Sequence, residues 1–183
     1  QVGDMYMAGI SEQIYSHFTT LIELKLEQIE TAEKVVIPNT DDVEALYKEL
    51  IYRVEVRGFD YLALCDDDGN MEMLYGEQIK IADPVPFFMS LKNKERKVAI
   101  GKDKSGSEVV LFGISAQYPM RNGEQSMAMI TAVPVDYISS MLAMEGASNL
   151  LYSYIIRNDG SFIVNTVSDK YTSYFDSLYA RYG

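Results

Sequence analysis

Hydrophobic positions in the first part of the chain recur every three or four residues, the period of an α-helix with one buried face. Residues 7–36 carry this pattern without interruption, and their glutamates fall on the opposite side. Pro38 ends the pattern, and the polar run at residues 39–42 can cap a second helix over residues 43–56. A helix of about thirty residues is about 45 Å long, longer than one small module. We therefore predict a long N-terminal helix that bridges two modules.

Short apolar runs separated by turn residues follow, as is typical of β-strands. An acidic turn that ends in Gly69 joins the first two runs, Asn122-Gly123 marks a later hairpin, and Pro84 starts a short helix between them. This order predicts an α+β fold in which the long helix packs on a five-stranded antiparallel sheet. The strands are predicted at residues 61–65, 71–75, 97–100, 108–118 and 126–135, and short helices at residues 87–92 and 136–144.

The first hairpin motif is repeated later in the chain. Tyr61-Leu-Ala-Leu-Cys-Asp-Asp-Asp-Gly69 is echoed by Tyr152-Ser-Tyr-Ile-Ile-Arg-Asn-Asp-Gly160, 91 positions on. This spacing indicates that one module is used twice in tandem. We predict N-terminal helices over residues 1–57, a first module over residues 58–145, and a second module over residues 146–183 that stops before its later strands.

The composition limits the classes of partner. The chain of 183 residues has a formal net charge of −11 and a pI near 4.5, so nucleic acids and anionic lipid surfaces would repel it. Its one cysteine, Cys65, excludes an intramolecular disulfide. No run of about 18 apolar residues is present, so no segment of this sequence is predicted to span a membrane.

Candidates for catalysis or metal binding are few. His17 is the only histidine and lies in the apolar stripe of the long helix, so we interpret it as a core or rim residue. One histidine and one cysteine far apart supply neither a metal-ligand spacing nor a nucleophilic triad. Asp66-Asp67-Asp68-Gly69 lacks the alternating ligands and distal glutamate of an EF-hand loop, so we interpret it as a solvated turn. We therefore predict no catalytic residue, no metal site and no cofactor.

The two faces of the last two predicted strands differ in the bulk of their side chains. If Asn122 and Gly123 are the two turn residues, one face is bulky throughout and includes Phe112 and Tyr118. Such a face suits packing against the long helix. Replacing Leu21 on that helix with aspartate would then place a charge in a packed interface and destabilise the chain severely.

The other face combines free space with polar groups. In the predicted register Gly113 lies opposite Ala132, and Ser115 follows on the same side. Buried polar groups need partners, which a ligand or an ordered water could supply. We predict that a small uncharged or weakly anionic organic molecule binds here, with an ordinary core as the alternative. The predicted ligand-binding residues, some of them from the neighbouring hairpin and short helix, are Tyr75, Phe87, Phe88, Lys92, Gly113, Ser115, Gln117 and Ala132.

The order of elements, the long leading helix and the two motifs Tyr61-Leu-Ala-Leu-Cys-Asp-Asp-Asp-Gly69 and Tyr154-Ile-Ile-Arg-Asn-Asp-Gly160 resemble the double Cache (PDC, PAS-like) extracytoplasmic sensor domains of bacterial receptors. The resemblance implies a PAS-like sheet in each module. It also implies flanking transmembrane helices outside this sequence, a homodimeric receptor in the cell membrane, and a cytoplasmic histidine kinase, diguanylate cyclase or chemoreceptor output.

The amino-acid-binding branch of that family has an arginine, an aromatic pair, a tyrosine and two aspartates in its membrane-distal pocket. The resemblance places Phe87 and Phe88 at the aromatic pair. It places Val85 at the arginine, Ile100 at the tyrosine, and Lys102 and Ala132 at the aspartates. An amino acid's α-carboxylate and α-amino group would then lack partners, so the resemblance disfavours classical amino-acid sensing.

Two other classes of protein remain as alternatives. A pilin-like or adhesive structural protein also joins a long N-terminal helix to an antiparallel sheet, but its helix would begin with a solidly apolar segment. A cytosolic enzyme is less favoured, because histidine and cysteine are nearly absent, although carboxylate chemistry stays open. Hydrophobic segments flanking this region in the gene would distinguish a receptor from both.

Overall fold

The structure, a computed structural model, describes residues 2–38 and 41–141 of the chain. The chain divides into two compact units, residues 24–135 in one and residues 1–23 with 136–183 in the other. The second copy of the hairpin motif, at residues 152–160, lies outside the described residues. The second module, the bridging role of the long helix and the domain boundaries therefore stay predictions. No helix in the described part is both long and apolar enough to span a membrane.

The helices form where the sequence pattern places them. Asp42 caps α2, because its carboxylate accepts a hydrogen bond from the Ala45 backbone N–H at 3.0 Å. Proline occupies the first turn of α3, where its missing N–H costs no hydrogen bond. The bounds are Val2–Val35 for α1, Val43–Glu55 for α2, Pro84–Lys92 for α3 and Val135–Met141 for α4.

Six strands form one antiparallel sheet in the order β2-β1-β6-β5-β4-β3, which confirms the predicted α+β fold with one strand more than expected. The additional strand, β3, has two residues, too few for an alternating pattern to show in the sequence. The bounds are Tyr61–Cys65 for β1, Met71–Tyr75 for β2, Lys80–Ile81 for β3, Lys97–Lys102 for β4, Glu108–Ser115 for β5 and Ala128–Pro134 for β6.

The register between β5 and β6 differs from the predicted one by two residues. Gly113 lies opposite Ile130 and not opposite Ala132. One residue of the shift comes from a longer turn, since the Met120 N–H donates to the Glu124 carbonyl at 2.9 Å around a three-residue loop. The other comes from an irregularity at Ser126, where strand pairing is locally interrupted. A shift of two residues leaves each side chain on its predicted face.

The side of the sheet toward α1, which we call the helix-facing side, is bulky, as predicted. Phe112 of β5 packs edge-on against Phe59 with ring centroids 6.0 Å apart, and the Lys25 ammonium of α1 lies 4.7 Å from the Phe59 centroid. Tyr118 is buried and donates its hydroxyl hydrogen bond to the Glu33 carbonyl at 2.9 Å. These contacts confirm that the long helix packs on this face over its residues from 24 onward.

The opposite side of the sheet, which we call the α3 face, is covered by α3. Its floor is made of small and medium residues, so α3 can lie close to the strands. Phe87 and Leu91 are the α3 side chains buried against it. The strand residues of the α3 face that are buried with them are Ala63, Cys65, Ile81, Val109, Leu111, Ala128, Ile130 and Ala132.

Candidate functional site

Helix α3 packs directly on β5 at Gly113, a position that we call the seat of α3. A Cβ atom built at this glycine would lie 2.8 Å from Leu91 Cδ2, closer than real Cβ atoms approach, and 3.0 Å from Phe87 Cζ, which is a very tight contact. The space predicted at Gly113 is therefore filled by these two side chains. A ligand on the α3 face must lie elsewhere on this face, or must displace α3.

Apolar contacts hold the rest of α3. The Phe87 and Phe88 rings meet edge-on at 5.7 Å, and the Phe88 ring lies 3.7 Å from where a Gly69 Cβ would be. No side chain of α3 forms a hydrogen bond or an ion pair with another residue in the described part of the chain. Apolar contacts are not directional, so α3 can shift without breaking a side-chain hydrogen bond or ion pair.

A tyrosine and a carboxylate meet at the end of the α3 face away from Gly113. Tyr61 is half-buried against the floor, and its hydroxyl lies 3.5 Å from Asp103 Oδ2. The other carboxylate oxygen, Oδ1, accepts three hydrogen bonds: from the Ser105 N–H at 2.9 Å, the Ser105 hydroxyl at 2.6 Å and the Ser107 N–H at 2.9 Å. The loop therefore fixes Asp103 through one oxygen and leaves the other directed at Tyr61.

The two groups affect each other's protonation. Hydrogen bonds from Ser105, ahead of those from Ser107 and Tyr61, lower the pKa of Asp103, so the carboxylate is ionised at neutral pH. Burial and then the nearby Asp103 charge raise the pKa of Tyr61, so its phenol keeps its proton. The pair offers a ligand one anionic acceptor and one hydroxyl that can donate or accept.

The predicted site residues fall into two groups. The α3 face brings together Phe87, Phe88, Gly113 and Ala132, with Ser115 half-buried on the same face opposite Ala128. The other predicted residues do not join them. Gln117 is exposed beyond the end of β5, and Lys92 is exposed at the end of α3.

Tyr75 lies on the opposite side of the sheet from the α3 face. A register shift in the β1–β2 pairing sets Tyr75 opposite Leu62 while Met73 stays opposite Ala63, which turns Tyr75 toward the helices. Its hydroxyl there hydrogen-bonds to Glu55 of α2. The prediction that Tyr75 closes the mouth of the site is therefore wrong, since no sequence pattern marked the irregularity.

The residues that the resemblance placed at the tyrosine and at one of the aspartates also face the helices. Ile100 pairs with Val110, and Lys102 with Glu108, one position out of phase with the α3 face. The β4 residues that point toward α3 are Ala99 and Gly101. Continuing this alternation by two residues leads to Asp103, which the sequence interpretation did not single out. Counting the alternation from Ala99 would have found it.

The acidic turn after β1 is structural in its chemistry. Asp66 Oδ1 accepts from the Asp68 and Asn70 N–H groups, and Oδ2 accepts from the Asn70 and Asn122 side-chain amides. Burial raises the pKa of Asp66, but these hydrogen bonds lower it further, so the net shift is downward. Asp66 thus joins the β1–β2 turn to the β5–β6 turn, and no cluster of three metal-ligating side chains occurs among the described residues.

The remaining titratable candidates offer no catalytic arrangement in the described part of the chain. His17 is exposed, so of its two interpretations, core or rim, the first is wrong. Cys65 is buried on the α3 face, and burial followed by the charges of Asp66 and Asp67 raises the pKa of its thiol to about 12. A thiol with this pKa is protonated at neutral pH and a poor nucleophile.

Comparison with solved structures shows the fold of bacterial chemoreceptor sensor domains. The ligand-binding domain of PctB from Pseudomonas aeruginosa PAO1, in complex with L-Gln, matches with a TM-score of 0.59 and 12% identity over 96% of this chain and 74% of that one. PctC from the same organism, in complex with GABA, has a TM-score of 0.56 and 14% identity over 78% of this chain and 68% of that one. Campylobacter jejuni Tlp3 with isoleucine bound has a TM-score of 0.54 and 10% identity over 78% of this chain and 63% of that one.

The chain thus spans about two-thirds of the length of the sensor domains it matches. No protein-family model matches the sequence, and a search of curated proteins finds no match. The structural similarity confirms the PAS-like sensor fold that the resemblance to double Cache domains implied.

Proposed function

We propose that this chain is the extracytoplasmic ligand-sensing part of a bacterial signal-transduction receptor, and that it binds a small organic molecule on the α3 face. The observation that supports this most strongly is the Tyr61–Asp103 pair at one edge of the apolar core between α3 and the sheet, in a fold shared with chemoreceptor ligand-binding domains. A mostly apolar cleft with a few placed polar groups is the usual form of a small-molecule site.

The Asp103 carboxylate favours a ligand that carries an amino group. Its contact with the Tyr61 hydroxyl, at 3.5 Å, is long for an O–H···O hydrogen bond, whose usual length is about 2.7–2.8 Å. An ammonium group could therefore bond to Asp103 Oδ2 with the gain of a charge-assisted hydrogen bond. The structures of PctB, PctC and CtaA contain L-Gln, GABA and L-alanine, all of which carry an amino group.

This proposal revises two predictions about the ligand. The expected uncharged or weakly anionic molecule is replaced by one with an amino group, and an amino acid is no longer disfavoured for lack of a partner to its α-amino group, because Asp103 supplies one. The ligand was expected beside Gly113, but Leu91 and Phe87 occupy that space. We now place it toward the Tyr61 end, where Ala132 lies between Tyr61 and Leu111 in the sheet and their side chains share the α3 face.

The proposed sensing role extends to the parts of the receptor that lie outside this sequence. Transmembrane helices outside this sequence, a cytoplasmic output domain and a homodimeric receptor are parts of the proposal. The match to sensor domains supports a receptor over a pilin-like or adhesive protein, because the chain shares its fold with ligand-binding domains of chemoreceptors. An enzyme is less supported, since the matched domains are sensors.

A thermal-shift screen with a matched pair of variants tests the proposal. Primary amines, amino acids and organic acids would be screened against the wild-type chain, where a ligand at 100 times its Kd adds about 2.7 kcal/mol to the free energy of unfolding. Asp103→Asn keeps an oxygen for the Ser105 and Ser107 bonds but removes the charge. We expect it to lose the response to amine ligands.

The control is Asp68→Asn, which removes one charge from the exposed Asp68 of the β1–β2 turn and should leave the response unchanged. Equal responses of wild type and Asp103→Asn would show that the site lies elsewhere. Hits confined to organic acids without an amino group would contradict the assigned ligand class.

A further inference from the structure

Lys25 is a buried cation that ligand binding on the α3 face does not use. Only 4% of this α1 residue is exposed. Its ammonium donates a hydrogen bond to the Arg57 carbonyl at 2.9 Å and lies 4.7 Å from the centre of the Phe59 ring. Burial lowers the pKa of Lys25, and the Asp60 charge partly offsets this. A lysine this buried needs such partners, and they fix α1 to the segment between α2 and β1.

The Lys25 anchor connects with the seat of α3 through the sheet. Phe59 packs edge-on against Phe112, with ring centroids 6.0 Å apart. The next residue, Gly113, points to the other face because side chains alternate along a strand. There it receives Leu91 and Phe87 of α3. Phe112 and Gly113 are adjacent in β5. Phe112 therefore contacts Phe59, the partner of Lys25, on one face of the sheet, and Gly113 contacts α3 on the other.

The packing between α3 and β5 at Gly113 leaves no free space. The atoms of Leu91 lie 2.8 and 3.0 Å from the position of a Gly113 Cβ, so α3 rests almost directly on the β5 backbone. Close-packed interiors transmit displacements, because a filled space cannot absorb them. The side chains of α3 make only apolar contacts in the described part of the chain. A shift of α3 would therefore change the packing against β5 at Gly113.

We propose that Lys25 is a positioning residue that couples α1 to the α3 face through Phe59, Phe112 and Gly113. A ligand that moves α3 would change the position of Phe112, and thereby the hold of Phe59 and Lys25 on α1. The significance of this coupling for signalling rests on the proposed function. The mechanical link itself does not, because it can be tested without a ligand.

The first test uses a wedge in place of a ligand. Gly113→Ala adds one methyl group at the seat and should push Leu91 and Phe87 outward. In the full chain, we expect the Lys25 side-chain resonances to shift in NMR spectra and the amides of residues 25–33 to exchange about tenfold faster. The matched control is Met89→Ala on the outer side of α3, where the side chain is 60% exposed, and it should change neither. A wedge that shifts the α3 resonances but leaves Lys25 and α1 unchanged would overturn the proposal.

The second test removes the anchor and uses an amine hit from the thermal-shift screen. Lys25→Met keeps the length of the side chain without its charge, and Lys25→Arg restores a cation. We expect the Kd of the hit to stay within about twofold in both variants, since neither changes the α3 face. Ligand-induced change in α1 hydrogen exchange should be lost in Lys25→Met and at least partly recovered in Lys25→Arg.

The two tests separate the possible failures. A screen without hits would count against the proposed function while leaving the wedge experiment decisive for the coupling. A ligand that binds Lys25→Met and still changes α1 exchange as in the wild type would refute the role of Lys25 and leave the proposed function standing. If Lys25→Met does not fold, the wedge experiment alone decides.

Discussion

The two faces of the sheet are built differently. The helix-facing side combines large aromatic residues with polar ties: the Lys25 ammonium to the Arg57 carbonyl, and the Tyr118 hydroxyl to the Glu33 carbonyl. The α3 face has alanines and glycine on its floor and an apolar helix above it, with Asp103 at one end. Large side chains and directional hydrogen bonds fix one arrangement of the helices on the helix-facing side. Small side chains and non-directional contacts on the α3 face allow α3 to move away from the sheet. One face thus specifies the fold, and the other is suited to a ligand.

The largest expected effect separates the two faces by stability. Phe112 is fully buried on the helix-facing side, while Phe88 is half-buried over the turn at Gly69. Phe112→Ala should lower the free energy of unfolding by about 3–5 kcal/mol, the usual cost of a large cavity. Phe88→Ala removes the same atoms from a site that water can partly reach, so it should cost less than half as much. Urea denaturation of both variants measures the difference, and equal losses would contradict the comparison.

A smaller effect is expected from filling the seat of α3. If the space predicted at Gly113 were open, Gly113→Leu would fill it and leave the fold largely intact. Because Leu91 and Phe87 already occupy that space, we expect overpacking that costs about 1–3 kcal/mol of stability. Val85→Leu, on the exposed side of the same helix, is the control and should be nearly neutral in a thermal melt. A fully stable Gly113→Leu variant would show that α3 moves away from β5 easily.

The difference between the faces also explains what the sequence could and could not predict. The helix-facing side was predictable, because Phe112 and Tyr118 belong to an alternating pattern that survives a register shift of two residues. The placement of Tyr75 was not, since the irregularity that turns it depends on pairing between β1 and β2. Gly113 was predicted to leave space for a ligand, and that prediction was wrong, because the side chains that fill the space, Leu91 and Phe87, come from a helix whose position only the tertiary structure shows.

The candidate site shows the same limit. Asp103 lies in a turn of the type Asp-Lys-Ser-Gly, which has a sufficient local explanation in its bonds to Ser105 and Ser107. The contact with Tyr61 joins two residues that are 42 positions apart in the chain. Sequence patterns report local geometry, so a site assembled from a turn and a distant strand becomes visible only when the sheet order is known.

The smallest expected effect concerns a polar atom on the otherwise well-satisfied helix-facing side. Thr131 of β6 is fully buried, and its hydroxyl has no hydrogen-bond partner among the described residues. An unpaired buried hydroxyl is destabilising, while an apolar group of the same shape is not. Thr131→Val should therefore raise the free energy of unfolding by about 1 kcal/mol. The reverse change, Val133→Thr, lies on the same face of the same strand and should lower it. Denaturant titration of both variants measures the two effects. A loss of stability in Thr131→Val would contradict the prediction and would indicate that the Thr131 hydroxyl has a hydrogen-bond partner, such as an internal water. The helix-facing side would then bind even this polar atom, and its contrast with the α3 face would be sharper.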